Sequence, residues 1–263
     1  MSNLMLHCGA ESVTRNDVMS MPAPVPMTNT HYPISHSELV DQVERAFQRF
    51  GKYDIVSEQY GISHEGSRFF AVMSLRSDNG NERKNWETSG GLRNAHKQEF
   101  SAGAACGSRV FVCDNLAFSG DISFGRKHTK YIREELPGKI DETLYKLSDK
   151  MNLLAGRYDH YESTDVDDKW FHDVLCRSLD LNRDGRQYVV RTTSIPKVLK
   201  AWREPVYQEF EPRPAWSAFN AFTEATKGIQ INEQAKRTQT LHTLFDEATG
   251  AFEALLPQAE TVN

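Results

Sequence analysis

GLRNAHKQEFSAGAACGSRVFVCDNLAFSG, from Gly91 to Gly120, sets the densest run of small residues beside the most strand-like segment of the chain. In RVFVCDN, Val110 and Val112 fall on one side of an extended backbone, and Phe111 and Cys113 on the other. That two-residue period marks a strand. Asp114 and Asn115 then favour a turn. Gly103, Ala104, Ala105 and Gly107 carry almost no side chain, so another backbone or a ligand can approach closely. The segment reads as a small-residue loop lying on a sheet, followed by the strand RVFVCDNLAF.

Working outward, NWETSGGLRN reads as a preceding strand that breaks at Gly90-Gly91, and DISFGRKHT as a following one. Further upstream, YDIVSEQYGISHEGSRFFAVMSLRS (Tyr53 to Ser77) reads as two strands around a turn at His64-Glu65-Gly66-Ser67, closed by the turn signal Asp78-Asn79-Gly80-Asn81. Before these strands, Leu39, Val43, Ala46, Phe47 and Phe50 recur at helical spacing, with Ser35 or Ser37 as N-cap and Gly51 as the stop. After them the period lengthens. Ile140, Leu144, Leu147, Met151 and Leu154 mark a long amphipathic helix with Pro137 in its first turn. Shorter helices are expected around Trp170-Leu175, from Ser194-Ile-Pro-Lys, over PRPAWSAFNAFTEATKG up to Gly228, and from Glu233 to about Leu256. Strands first and helices after predict an α+β protein: an antiparallel β-rich centre preceded by one helix and followed by a mostly helical C-terminal half. The expected organisation is a flexible arm over residues 1–35 and a single domain over 36–263, β-rich in 53–130 and helical in 137–256. The arm has no basic segment followed by a long apolar one, so it is not read as a secretory signal; docking on a neighbouring subunit is its alternative role.

Four cysteines without a CxxC pair fit a reducing cytoplasm, and no apolar run approaches the ~20 residues that span a bilayer. The net charge is −5, but it is uneven: Arg68 to Lys139 holds 12 Lys/Arg against 8 Asp/Glu. A basic centre in an acidic chain suits contact with phosphates, although Lys and Arg at strand edges also serve only solvation. GxSxG, GxxxxGK[ST] and a strand-helix GxGxxG are all missing, so serine hydrolysis and nucleotide hydrolysis have no sequence support. Asp180-Leu-Asn182-Arg-Asp184-Gly185 begins like a calcium loop, yet its twelfth position is Arg191 instead of the bidentate Glu. His160-Tyr-Glu162 is half of a zinc-deaminase signature without the PCxxC that should follow. His160 and His172, among acidic neighbours, are weak candidates for a metal, and capping is the blander account of them.

The site expected instead is cationic. Arg93, Asn94, His96 and Lys97 follow the Gly-Gly pair, and Arg109, Arg126, Lys127, His128 and Lys130 follow in the same basic block. Arg and Lys would contact phosphates, and Asn94 would position the backbone. Phe69, Phe70, Trp86, Phe118 and Phe124 interleave with these charges, a combination that suits single-stranded nucleic acid.

GGLRNAHKQEFSAGAACGSRVFVCDNLAFSG followed by RKHT resembles the core of the domain of unknown function 932 family, proteins typical of phages, plasmids and integrated elements. PAWSAFNAFTEATKG followed by Arg237-Thr238 is similar to that family's C-terminal part. The likeness runs roughly from Phe69 to Phe245 and is looser between Tyr158 and Val190. It brings no catalytic residue and no cofactor; it implies a mobile element in a bacterial cytoplasm. Three classes of function follow. The first is non-catalytic binding or annealing of single-stranded DNA in replication or recombination. The second is inhibition of a host defence protein by direct contact, and the third a metal-dependent enzyme. A homo-oligomer is compatible with each.

Overall fold

The computed structural model describes residues 10–77, 86–110, 116–179, 188–205, 210–211, 213–226, 229 and 231–251. They fall into two compact units, one of residues 1–150 with 227–235 and one of 151–226 with 236–263.

The first unit is built on a six-stranded sheet of β1 (Glu11–Val13), β2 (Tyr53–Ser63), β3 (Arg68–Ser77), β4 (Trp86–Ala95), β5 (Ala102–Val110) and β6 (Leu116–Arg126). Each strand lies antiparallel to the next in chain order. The fold class is the α+β arrangement expected. The β2–β3 turn holds His64, Glu65 and Gly66 at positive φ, so three successive residues take the left-handed region in this tight reversal.

Helix α1 (Arg15–Ser20) precedes α2 (His36–Phe50), and α3 (Ile132–Ser163) follows the sheet. Ser35 caps α2 by accepting from the Glu38 amide at 3.0 Å, and Gly51 ends it at φ 65°. The apolar stripe of α2 is buried at Leu39, Val40, Val43, Ala46 and Phe47. Val43 and Phe47 share an apolar seam with Met73, Leu92 and Phe124 of the sheet and with Ile140 and Leu144 of α3. One face of the sheet is therefore the helix face.

Several expectations are corrected. Residues 10–35 are not a loose arm. Thr14 and Asp17 form a reciprocal capping box, Arg15 pairs with Glu44 and with Glu58, and Val18 and Ile34 are fully buried. Apart from the capping box, these ties are long-range or single residues, which leave no periodicity to read. Strand β4 runs unbroken through Gly90-Gly91, and β5 is the small-residue run itself, not a loop on the sheet. RVFVCDNLAF is not one strand: Arg109 and Val110 close β5, Leu116 opens β6, and 111–115 lie outside the described residues, as does the Asp78-Asn81 turn. A ladder on both sides outweighs the poor intrinsic β propensity of Gly and Ala. Helix α3 begins at Ile132, so Pro137 falls in its second turn.

The second unit contains the rest of α3, then α4 (Asp168–Ser178), α5 (Ile195–Arg203), α6 (Ala215–Ala225) and most of α7 (Ile231–Thr249). Its core is aromatic. Phe171 and Trp202 stack at 4.5 Å, and Tyr158, Trp216, Phe219 and Phe245 pack around α6, which is buried from Ala215 to Thr223. A helix buried on every side belongs in the middle of its unit. Leu179 and Val190 form an isolated bridge, and the start of the calcium-like loop and Gly228 lie outside the described residues.

Candidate nucleic-acid interface

Successive strand residues point to opposite faces, so the neighbours Arg93 and Asn94 of β4 part company. Asn94 pairs with Phe69 on the helix face, is wholly buried, and donates to the Ile34 carbonyl and to His36 Nδ1, both at 3.0 Å. Arg93 lies in a cross-sheet row with Phe70, Gly103 and Gly125 on the other face. A Cβ on Gly103 would stand 3.4 Å from Arg93 Nε, and one on Gly125 3.8 Å from Arg93 Nη2. The two glycines thus leave a lane in which the guanidinium lies across the sheet.

That guanidinium has little company. Its Nη2 reaches Ser101 Oγ at only 3.5 Å, its Cζ sits 5.7 Å from the Phe100 ring centroid, and Nη1 is buried without a hydrogen-bond partner among the described residues. No carboxylate there pairs with it, whereas Arg68 pairs with Glu99 at 3.2 Å and Arg126 with Glu135 at 2.5 Å. Burial pulls the Arg93 pKa below its ordinary value, the mark of a cation without a counter-charge.

The β4–β5 connection, residues 96–101, holds still around this lane. The His96 amide donates to the Ser67 carbonyl at 2.8 Å, Gln98 reaches Thr28 at 3.4 Å, and Glu99 holds Arg68. Beside it four imidazoles gather. His36 stacks on His96 at 3.7 Å, and His31 meets His128 edge-on at 5.7 Å. Burial, helped by His96, pushes His36 down to about 3; burial, helped by His31, pushes His128 to about 4. The described residues contain no group of three His, Cys, Asp or Glu able to hold a metal.

The sequence-predicted residues therefore divide. Lys97 in the β4–β5 connection and Lys127 and Lys130 just after β6 are exposed, and Arg93 towards the end of β4 is half-buried. Asn94 and His128 are interior groups, a correction to the expectation that they face a ligand: Asn94 spends both amide hydrogens inside the protein, and the His128 imidazole is buried, with neither ring nitrogen hydrogen-bonded among the described residues. His96 is half-buried against His36, and Arg126 is committed to Glu135 and Thr129. Arg109 ends β5, and its side chain is outside the described residues. Of the aromatics, Phe69 and Trp86 are core, while Phe70 contacts Phe100 at 5.7 Å. Sequence reasoning missed Phe100, whose one signal is a lone aromatic in the polar run HKQEFS. It also missed His31 and His36, which only the fold brings to His96. His160 donates to the Thr249 carbonyl at 3.0 Å, and His172 packs edge-on to Phe171, both roles of ordinary structure.

A family model described as "Domain of unknown function (DUF932)" matches residues 30–251. No curated protein and no solved structure matches the chain.

Proposed function

The chain belongs to the domain of unknown function 932 family, whose description assigns no activity, and from that premise we propose that it binds single-stranded DNA without catalysis. The observation that supports this reading is Arg93: a half-buried guanidinium, uncompensated among the described residues, at the end of the sheet from which the segments carrying exposed Lys97, Lys127 and Lys130 leave. A buried cation without a partner is costly, and an incoming phosphate removes that cost. Replication or recombination of a phage or plasmid in a bacterial cytoplasm is the setting we propose, on the strength of the family resemblance.

Fluorescence anisotropy with labelled single- and double-stranded oligonucleotides across a salt series tests this. Affinity should fall linearly in log-log form with salt, with a slope that counts the phosphates engaged. Arg93→Met and Lys127→Ala should each weaken binding; unchanged affinity in both would refute the assignment.

A second reading, inhibition of a host protein by direct contact, draws on β2. Strand β1 pairs only with Tyr60 to Ile62, so the stretch Asp54 to Gln59 has no strand beside its outer edge among the described residues. A groove of about 1110 Å³ runs along it, lined also by Arg15 and Glu44. An open edge accepts an extended peptide. Recovery of one stoichiometric host protein in a pull-down would favour this reading.

A further inference from the structure

We propose that Phe100 is a base-stacking residue that makes the Arg93 lane select single-stranded over double-stranded DNA; this rests on the DNA-binding reading above. The Phe100 ring sits at the boundary between the sheet and the solvent. It is half-buried, tilted 36° against Phe70 at 5.7 Å, and has the Arg93 guanidinium 5.7 Å from its centroid. Phe70 is itself buried, so Phe100 rests on a fixed floor. Its loop is held by the Arg68–Glu99 ion pair, by the His96 amide on Ser67 and by Gln98 on Thr28. An aromatic held this way is pre-organised and loses little freedom when it accepts a partner.

The chemistry of the pair defines its ligand. A guanidinium without a counter-ion calls for an anion, and an aromatic face a few ångströms away calls for a flat apolar ring. A nucleotide presents phosphate and base at that spacing, but only where the base is unstacked from its neighbours. In a duplex the bases face inward, so Phe100 has nothing to stack on. Stacking tolerates any base because every base has a π-face, which predicts strand preference without sequence preference.

Two variants and two probes test this. Phe100→Leu removes the π-face but keeps an apolar cover over Phe70; Phe100→Trp enlarges the face. The probes are a mixed-sequence single-stranded oligonucleotide and an abasic oligonucleotide of equal length, measured by anisotropy on protein whose thermal melt is unchanged. Phe100→Leu should weaken the base-bearing strand about tenfold while leaving the salt slope and the abasic affinity alone. Phe100→Trp should retain wild-type affinity and show indole quenching, above the wild-type background, with the base-bearing strand only. Equal loss for both probes, or no loss, overturns the stacking role. If the wild-type protein binds neither probe, the DNA-binding reading itself falls, a result distinct from a failure at Phe100. Should Phe100→Leu melt early, the quenching of Phe100→Trp decides alone: no quenching overturns the proposal.

Discussion

Asn94 donates to His36 Nδ1 at 3.0 Å, and His36 donates from Nε2 to the Gly66 carbonyl at 2.9 Å. The amide thereby fixes one neutral tautomer at the N-terminus of α2 and ties that helix to β4. Asn94→Leu keeps the volume but strips buried acceptors on Ile34 and His36 of their donor. Each buried group left unpaired costs about 1–3 kcal/mol, so the loss should be about 2–4 kcal/mol in urea unfolding. A loss under about 0.5 kcal/mol would mean that stacking on Phe69 and His96 suffices to hold the imidazole.

The same cluster contributes to the acid limb of stability, together with His242 of the second unit, which burial also pushes well down. His36 and His128 are pushed down, to about 3 and about 4, mainly by burial, and burial lowers His96 as well. These imidazoles stay neutral when folded and take up a proton when unfolded, near pH ~6.5. Their contribution is therefore whole above about pH 6.5 and is lost as pH falls toward about 4, by about 1.4 kcal/mol per pH unit for each group. Lowered carboxylates act with the same sign but only below about pH 4.5. Unfolding at about pH 7, 6 and 5 should show a loss of about 2–3 kcal/mol over the last step from His36 and His128. A flat profile would show that the cluster accepts protons without opening.

How far these features can be read from sequence differs by element. Helix α2 is legible because its buried stripe repeats with the helical period and its two caps, Ser35 and Gly51, are standard. Strands β2 and β3 are legible through their turn. The middle of the sheet is not, because SGGLRNA and AGAACGS lack the residues that favour strands, and only pairing with β3 and β6 makes them so. The site inherits that blindness. Read as a loop, Arg93 and Asn94 face one ligand together; read as a strand, they must face opposite ways, one to phosphate and one to the core.

The lane under Arg93 requires its glycines. A Cβ at Gly103 would stand 2.6 Å from the Phe124 carbonyl oxygen, a backbone atom held by the β5–β6 ladder. Gly103→Ala must therefore push strands apart, at about 1–3 kcal/mol, and should shift Arg93 enough to weaken single-stranded DNA as well. Gly138 is the contrast: it lies exposed in α3, and a Cβ there meets nothing within 4 Å. Gly138→Ala should add about 0.5–1 kcal/mol through helix propensity. Opposite signs in thermal melts of the two variants are expected; a neutral Gly103→Ala would show that the lane is slack.

In the second unit, Asp246 is 1% exposed and accepts from Tyr161 Oη at 2.5 Å and from Arg157 Nη2 at 2.8 Å. Burial pushes its carboxyl up and the Tyr161 phenol well up, so both bonds work against desolvation. Asp246→Asn keeps the shape but leaves Arg157 without its counter-charge, and removing one partner of a buried pair is the expensive direction. The expected cost is about 3 kcal/mol, at the lower end for such pairs because Arg157 is partly exposed. Tyr161→Phe removes one neutral donor and should cost about 1 kcal/mol. Because both bonds end on one carboxylate, the double variant should cost less than the sum of the two. Strict additivity in urea unfolding would show that the tyrosine and the ion pair stabilise this core independently, and neither variant should alter DNA affinity measured on folded protein.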